Sequence, residues 1–185
     1  VCVSSQVGCA VGCVFCATGT LPAQRNLSAS EIIEQVLLAR IEAHQRERHL
    51  RNVVFMGMGE PLHNTQSTLD AIDQLTDEAC FGLGARYITL STAGVPSGMR
   101  QAVMRFPRLR IALSLHSPFT ETRRRLMPRA FHDLEELRDT IRFLNQLQKQ
   151  QPVWIELVLL DGINDSTADA EALATFSDGL AVHIN

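Results

Sequence analysis

Three cysteines near the start of the chain offer the strongest chemistry in the sequence. They stand in Cys9-Ala-Val-Gly-Cys13-Val-Phe-Cys16, at spacings of four and three. A loop that wraps tightly can turn three such thiolates onto one small inorganic cluster, and Gly8 and Gly12 permit the sharp bends this needs. Iron–sulfur clusters usually take four protein thiolates. A 4Fe–4S cluster held by three keeps one iron open to another ligand. Two plainer readings stand beside it: zinc, which asks for a fourth ligand, and three cysteines that merely pack. The cluster is the expectation, because the pattern runs directly into a strand–helix series.

A second group follows the apolar run 53–56: Gly57-Met58-Gly59-Glu60-Pro61. A glycine lets the backbone approach a ligand closely, and a carboxylate holds an ammonium or a hydroxyl through charge-assisted hydrogen bonds. Two further runs end in hydroxyls, Thr89-Leu90-Ser91-Thr92-Ala93-Gly94 and Leu113-Ser114-Leu115-His116-Ser117-Pro118. Each alone reads equally well as a helix cap or a structural histidine. At the carboxyl ends of successive barrel strands they would share one active-site mouth.

The elements that must position these residues are legible as alternating periods. Apolar, β-rich runs at 52–58, 87–91, 110–115, 153–160 and from 182 onward have strand lengths. Helical patterns separate them. Ser28 and Glu31 form a capping box ahead of Ile32 and Val36. Leu69, Ile72 and Leu75 share one face, as do Met99, Val103 and Phe106. Asp133 opens what reads as the longest helix, striped by Leu134, Leu137, Ile141, Leu144 and Leu147, and a last one covers 168–176. Strand alternating with helix argues for a parallel α/β sheet. Eight barrel units take about 250 residues, so this length holds about six. The expected fold is a partial (β/α)6 barrel in a single domain, 1–185, cut at both ends. A flat doubly wound sheet is the competitor.

Bulk properties narrow the class. The 185 residues are 45% hydrophobic and 20% charged, enough apolar mass for one core. No apolar run nears the roughly 18 residues a membrane span needs. Net charge is −3, and the arginines at 100–110 and 123–125 read as solvated faces. The five cysteines, Cys2, Cys9, Cys13, Cys16 and Cys80, are odd in number and crowd one end, which fits reduced thiols and a cytoplasmic protein better than disulfides. Cys80 reads as a small buried residue.

Together the motifs resemble one family closely. Cys2-Val-Ser-Ser-Gln-Val-Gly-Cys9, Cys16-Ala-Thr-Gly-Thr, Arg25-Asn26-Leu27, Phe55-Met-Gly-Met-Gly-Glu-Pro61, Leu90-Ser-Thr-Ala-Gly94, Ala112-Leu-Ser-Leu-His-Ser117, Leu126-Met-Pro128 and Leu159-Leu-Asp-Gly-Ile-Asn-Asp-Ser166 look like the RlmN/Cfr family of radical S-adenosylmethionine enzymes, which methylate adenine in RNA. The resemblance spans essentially the whole chain. It implies cluster ligands at Cys9, Cys13 and Cys16. It implies S-adenosylmethionine contacts at Gly59, Glu60, Ser91, Ser114, Leu115 and His116, and a catalytic thiol at Cys2. The implied reaction methylates carbon 2 of adenine in 23S rRNA, and in tRNA, through a methyl group carried on a second cysteine. The implied electron donor is external, such as a flavodoxin, and the implied state is a monomer. The family's methyl-carrying cysteine and N-terminal accessory domain are expected outside these residues. Methylation at carbon 8, or another substrate for a paralogue, is the alternative. Arg129-Ala-Phe-His-Asp133 departs from the family's more basic, tyrosine-bearing stretch.

Overall fold

The computed structural model describes residues 1–185. A short antiparallel pair, β1 (Gln6–Val7) and β2 (Arg25–Asn26), closes the neck of the cysteine loop. Then follow α1 (Ala29–Gln45), β3 (Val53–Phe55), α2 (Thr65–Thr76), β4 (Ile88–Thr92), α3 (Pro96–Arg105), β5 (Arg110–Ser114), α4 (Thr120–Leu126), α5 (Leu134–Leu147), β6 (Val153–Glu156), α6 (Thr167–Ser177) and β7 (Val182–Ile184).

Strands β3 to β7 form one parallel sheet in chain order, β3-β4-β5-β6-β7. The first residues add a sixth, irregular strand beside β3. Cys2 bridges Val54 in parallel, and Val3 N–H and Val54 N–H donate to Val54 C=O and Val1 C=O, each at 2.9 Å. A doubly wound sheet reverses its strand order at a switch point. This one never reverses, so right-handed crossovers place every helix on the same face. The result is the partial barrel, and the doubly wound alternative falls.

The register shows what each face carries. Side chains alternate along a strand. One face takes Val53, Phe55, Ile88, Leu90, Ile111, Leu113, Val153 and Ile155, all buried in one core with Ile32, Val36, Leu69, Ile72, Met99, Val103, Leu137, Ile141 and Leu144 from the helices. The other face takes Cys2, Val54, Thr89 and Arg110. One pleat further along it takes Ser91, Ala112, Trp154 and His183, then Ser114 and Glu156. The polar, inner face is the one free of helices.

The capping box at Ser28 forms as expected, with Ser28 accepting from Glu31 N–H and Glu31 accepting from Ser28 N–H. Asp133 likewise accepts from Glu136 N–H. Three expectations need correction. The longest helix is α1, with 17 residues against 14 in α5. Strands β3 and β6 stop short of residues 58 and 160, because a glycine turn begins at Gly57 and because Asn164 takes over the backbone groups of Val158 and Leu160. Cys80 is exposed rather than buried: it sits in the turn after α2, where its own N–H donates to Asp77 C=O. Helix α4 escapes the sequence pattern because its seven residues are mostly charged and offer one apolar side chain, Leu126.

Candidate active site

A cavity of about 310 Å³ opens at the carboxyl ends of the strands. It is lined by Cys9, Cys13 and Cys16, by Gly59 and Glu60 after β3, by Ser91 at the end of β4, by Ser114 and His116 at the end of β5, and by Glu156 at the end of β6. Three larger surface hollows, about 620, 800 and 350 Å³, contain no cysteine. Chemistry rather than size therefore marks the site.

The cysteine loop is held from three sides. At its neck, Gly8 has φ +80°, and a side chain there would strike the Pro22 carbonyl at 2.2 Å. At its back, Val14 N–H donates to Leu126 C=O at 3.0 Å, and Arg129 donates from its backbone to Val11 C=O and from its side chain to Ala10 C=O. Beneath it, Val11, Ala93, Leu126 and Met127 form a small apolar cluster against which Cys9, Cys13 and Phe15 pack. Burial, and then the neighbouring Cys9 and Cys16, push the Cys13 thiol up to about 11; burial raises Cys9 as well.

Glu60 is 3% exposed and its carboxylate is largely committed. Oε1 accepts from Leu62 N–H at 3.0 Å and Oε2 from Ala93 N–H at 2.6 Å, while Glu60 N–H donates to Gln6 Oε1. Burial pushes this carboxyl up, and those two backbone donors pull it partly back. Glu60 thus ties the turn after β3 to the exit of β4. Ser91 and Ser114 bring their hydroxyls within 3.4 Å of each other on the inner face.

His116 adopts φ +59°, rare for a residue with a side chain. Its carbonyl accepts from Asn164 Nδ2 at 2.6 Å, and its Nδ1 accepts from Val158 N–H at 3.1 Å, which leaves the ring proton on Nε2. The ring stands edge-on to Phe15, with centroids 4.6 Å apart. Burial, helped by the charge of Arg123, lowers its pKa to about 4, so the ring is neutral near pH 7.

The Radical SAM superfamily model matches residues 3–174. The chain belongs to the radical SAM superfamily. Over its full length it is 42% identical to a probable RNA methyltransferase of Rhodopirellula baltica and 41% identical to a probable dual-specificity RNA methyltransferase RlmN of Thermus thermophilus. It spans 48% and 52% of those proteins, about half their length. The crystal structure of a radical SAM methyltransferase from Sphaerobacter thermophilus superposes with a TM-score of 0.94 at 42% identity, covering all of this chain and 54% of that one. At 14% identity, Streptococcus suis SuiB, solved with S-adenosylmethionine bound, shares the fold with a TM-score of 0.67 over 95% of this chain.

The donor set fits the superfamily's iron–sulfur group. Three free thiols face one cavity, and they are the soft sulfur donors that such a cluster takes. Of the residues that the sequence singles out, this radical SAM chain brings eight to the cavity: Cys9, Cys13, Cys16, Gly59, Glu60, Ser91, Ser114 and His116. It leaves two outside. The Leu115 side chain is fully buried in the helix-side core, and its N–H and C=O are taken by Glu156 and Ser117. Cys2 is exposed on the inner face of the sheet but does not line the cavity.

Three positioning residues escape the sequence reading. Gln6 bridges Asn26 Oδ1 and Glu60 N–H, Asn164 fixes both His116 and residues 158–160, and Arg123 lies buried below the cysteine loop. Gln6 and Asn164 sit inside quoted motifs, so position was available there but role was not. Arg123 looks like its exposed neighbours Arg124 and Arg125.

Proposed function

We propose that this chain is the catalytic domain of an S-adenosylmethionine-dependent RNA methyltransferase that modifies carbon 2 of adenine in 23S rRNA, and in tRNA. The observation that carries the reading is the convergence of three free thiols, a buried carboxylate and two inner-face hydroxyls on one cavity at the strands' carboxyl ends. RNA as the substrate class comes from the named relatives, which this chain matches over half their length.

In this reading Cys9, Cys13 and Cys16 hold the 4Fe–4S cluster. When bound, the cluster supplies the electron that breaks a carbon–sulfur bond of S-adenosylmethionine; a flavodoxin-like donor refills it. The protein's own residues bind, orient and exclude water. Ser91 and Ser114 offer hydroxyls to the cofactor's sugar. Neutral His116 offers Nε2–H as a donor and adds no charge. Glu60 holds the turn through which Gly59 brings backbone against the cofactor's methionine part. Cys2, exposed on the inner face, is the thiol that would remove the proton from the modified ring carbon. From the resulting closed-shell adduct its thiolate would form a disulfide with the linking sulfur as the carbon–sulfur bond to RNA breaks, that bond's electron pair staying on the RNA-side carbon, which takes up a proton to become the methyl group.

The test uses the full-length protein. It is reconstituted anaerobically with iron and sulfide, then given reductant, S-adenosylmethionine and a 23S rRNA fragment. Mass spectrometry of the digested RNA should show 2-methyladenosine. Cofactor cleavage with no methylated adenine in rRNA or tRNA would point instead to a paralogue with another substrate.

A further inference from the structure

Arg123 on α4 is 3% exposed, yet no carboxylate pairs with it. Its Nη2 donates to the Ala93 carbonyl at 2.5 Å, its Nη1 reaches only the Met127 sulfur at 3.9 Å, and its Nε is buried with no partner. Removing a guanidinium from water against two neutral acceptors and one orphaned N–H is strongly unfavourable unless a negative charge lies close by. Both of its partners, Ala93 and Met127, line the cavity and belong to the apolar cluster against which Cys9 and Cys13 pack, so the guanidinium sits directly beneath the cysteine loop. The helix that carries Arg123 also carries the loop, since Leu126 C=O accepts from Val14 N–H, next to Cys13.

A cluster held by three thiolates is a buried anion, and it gains one more negative charge on reduction. We propose that Arg123 is the fixed counter-charge of that cluster: it stabilises the reduced state most and so raises the cluster's reduction potential. The inference rests on the reading that Cys9, Cys13 and Cys16 hold the cluster. Arg123 acts through the cluster's electrostatics. It stays protonated throughout, and no bond is made to it. At short range in a partly desolvated site, losing one unit charge changes a one-electron equilibrium by a factor measurable in a titration.

The experiment is a spectroscopic redox titration of the full-length reconstituted protein, wild type against Arg123→Met and Arg123→Lys, without S-adenosylmethionine. Poised at the wild-type midpoint, Arg123→Met should show at least a tenfold lower ratio of reduced to oxidised cluster, a shift of about 59 mV per tenfold for one electron. Arg123→Lys should recover most of it. Iron and sulfide content is measured on every sample. An unshifted midpoint in fully loaded Arg123→Met overturns the proposal and makes Arg123 a structural tie to Ala93. A shift that appears only when S-adenosylmethionine is added also overturns it, because the charge then acts on the cofactor. If Arg123→Met takes up no iron, Arg123→Gln and Arg123→Lys decide: equal midpoints in those two overturn it. A wild type that binds no cluster sinks the ligand assignment itself, which is a separate failure.

Discussion

At the scale of single residues, the site combines groups whose protonation is set by burial, and His116 gives that a measurable form. Its pKa is about 6.5 in an unfolded chain and about 4 when folded. Between those values the unfolded state binds the proton and the folded state does not. Stability therefore rises with pH across that window, is complete above about 6.5, and is lost as pH falls toward 4. Glu60, raised by burial, contributes with the opposite sign, so only a difference between variants isolates the histidine. His116→Asn is the suitable change, since asparagine tolerates positive φ. Thermal midpoints of wild type and variant should diverge at pH 7.5 and converge toward pH 4; parallel curves would remove the assigned titration. Cys13→Ala tests a second residue. Two thiolates cannot retain the cluster, so iron and sulfide after anaerobic reconstitution should fall nearly to zero, and full iron would end the ligand assignment. Both residues were legible because their types are unusual in their spacing. Arg123 was not: three consecutive arginines look alike, and only packing under Ala93 makes one of them a buried cation.

At the scale of elements, the turns after the strands do more positioning than the strands themselves. Gly59 has φ +103°, and a Cβ there would lie 2.7 Å from Gln6 Cβ and 2.8 Å from Ser5 Oγ. Gly59→Ala should cost about 2 kcal/mol or more from backbone strain, with the contact to Gln6 adding to it. It should also loosen the Gln6–Glu60 tie. A lower urea midpoint together with reduced cluster loading is the expected pair of results. Ser28→Ala makes the contrast. It removes the capping box of α1, away from the cavity, and should cost about 1 kcal/mol while leaving cluster loading unchanged. Helix α1 and this cap could be read from sequence because a capping box is a local rule spanning four residues, Ser28 to Glu31. The ends of β3 and β6 could not. Apolar residues at 157–160 continue the strand pattern, but the chain leaves the sheet where the Asn164 side chain replaces its ladder partners. That is a contact within a loop, and no periodicity announces it.

At the scale of the whole molecule, strictly sequential strand order divides the chain into two ends with different work. Every loop that leads from a sheet strand into a helix lies at the cavity end, joined there by the loop after α4, whose Met127 lines the cavity and whose Arg129 holds the cysteine loop, while the loops that lead from a helix into a sheet strand lie at the other end. Alternating periods made this arrangement readable, because sequential parallel strands with short crossovers leave few topologies. What they could not show is which end each cysteine reaches. Cys9, Cys13 and Cys16 face the cavity, and Cys2 lies on the same inner face of the sheet. Cys80 follows α2 and precedes β4, so it sits at the opposite end. The proposed reaction needs a second cysteine beside Cys2 to carry the methyl group, and within residues 1–185 none is available to play that part. The isolated 185 residues, reconstituted and reduced, should therefore bind the cluster and convert S-adenosylmethionine to 5′-deoxyadenosine, read by liquid chromatography. They should leave a 23S rRNA fragment without methylated adenine. Changing Cys80 to Ala should alter neither result, since that thiol never reaches the cavity. Methylated adenine made by the isolated chain would overturn this division of labour, because the methyl would then have to travel by a route that uses no cysteine on the cavity side of the molecule other than the three cluster ligands and Cys2 on the inner face of the sheet.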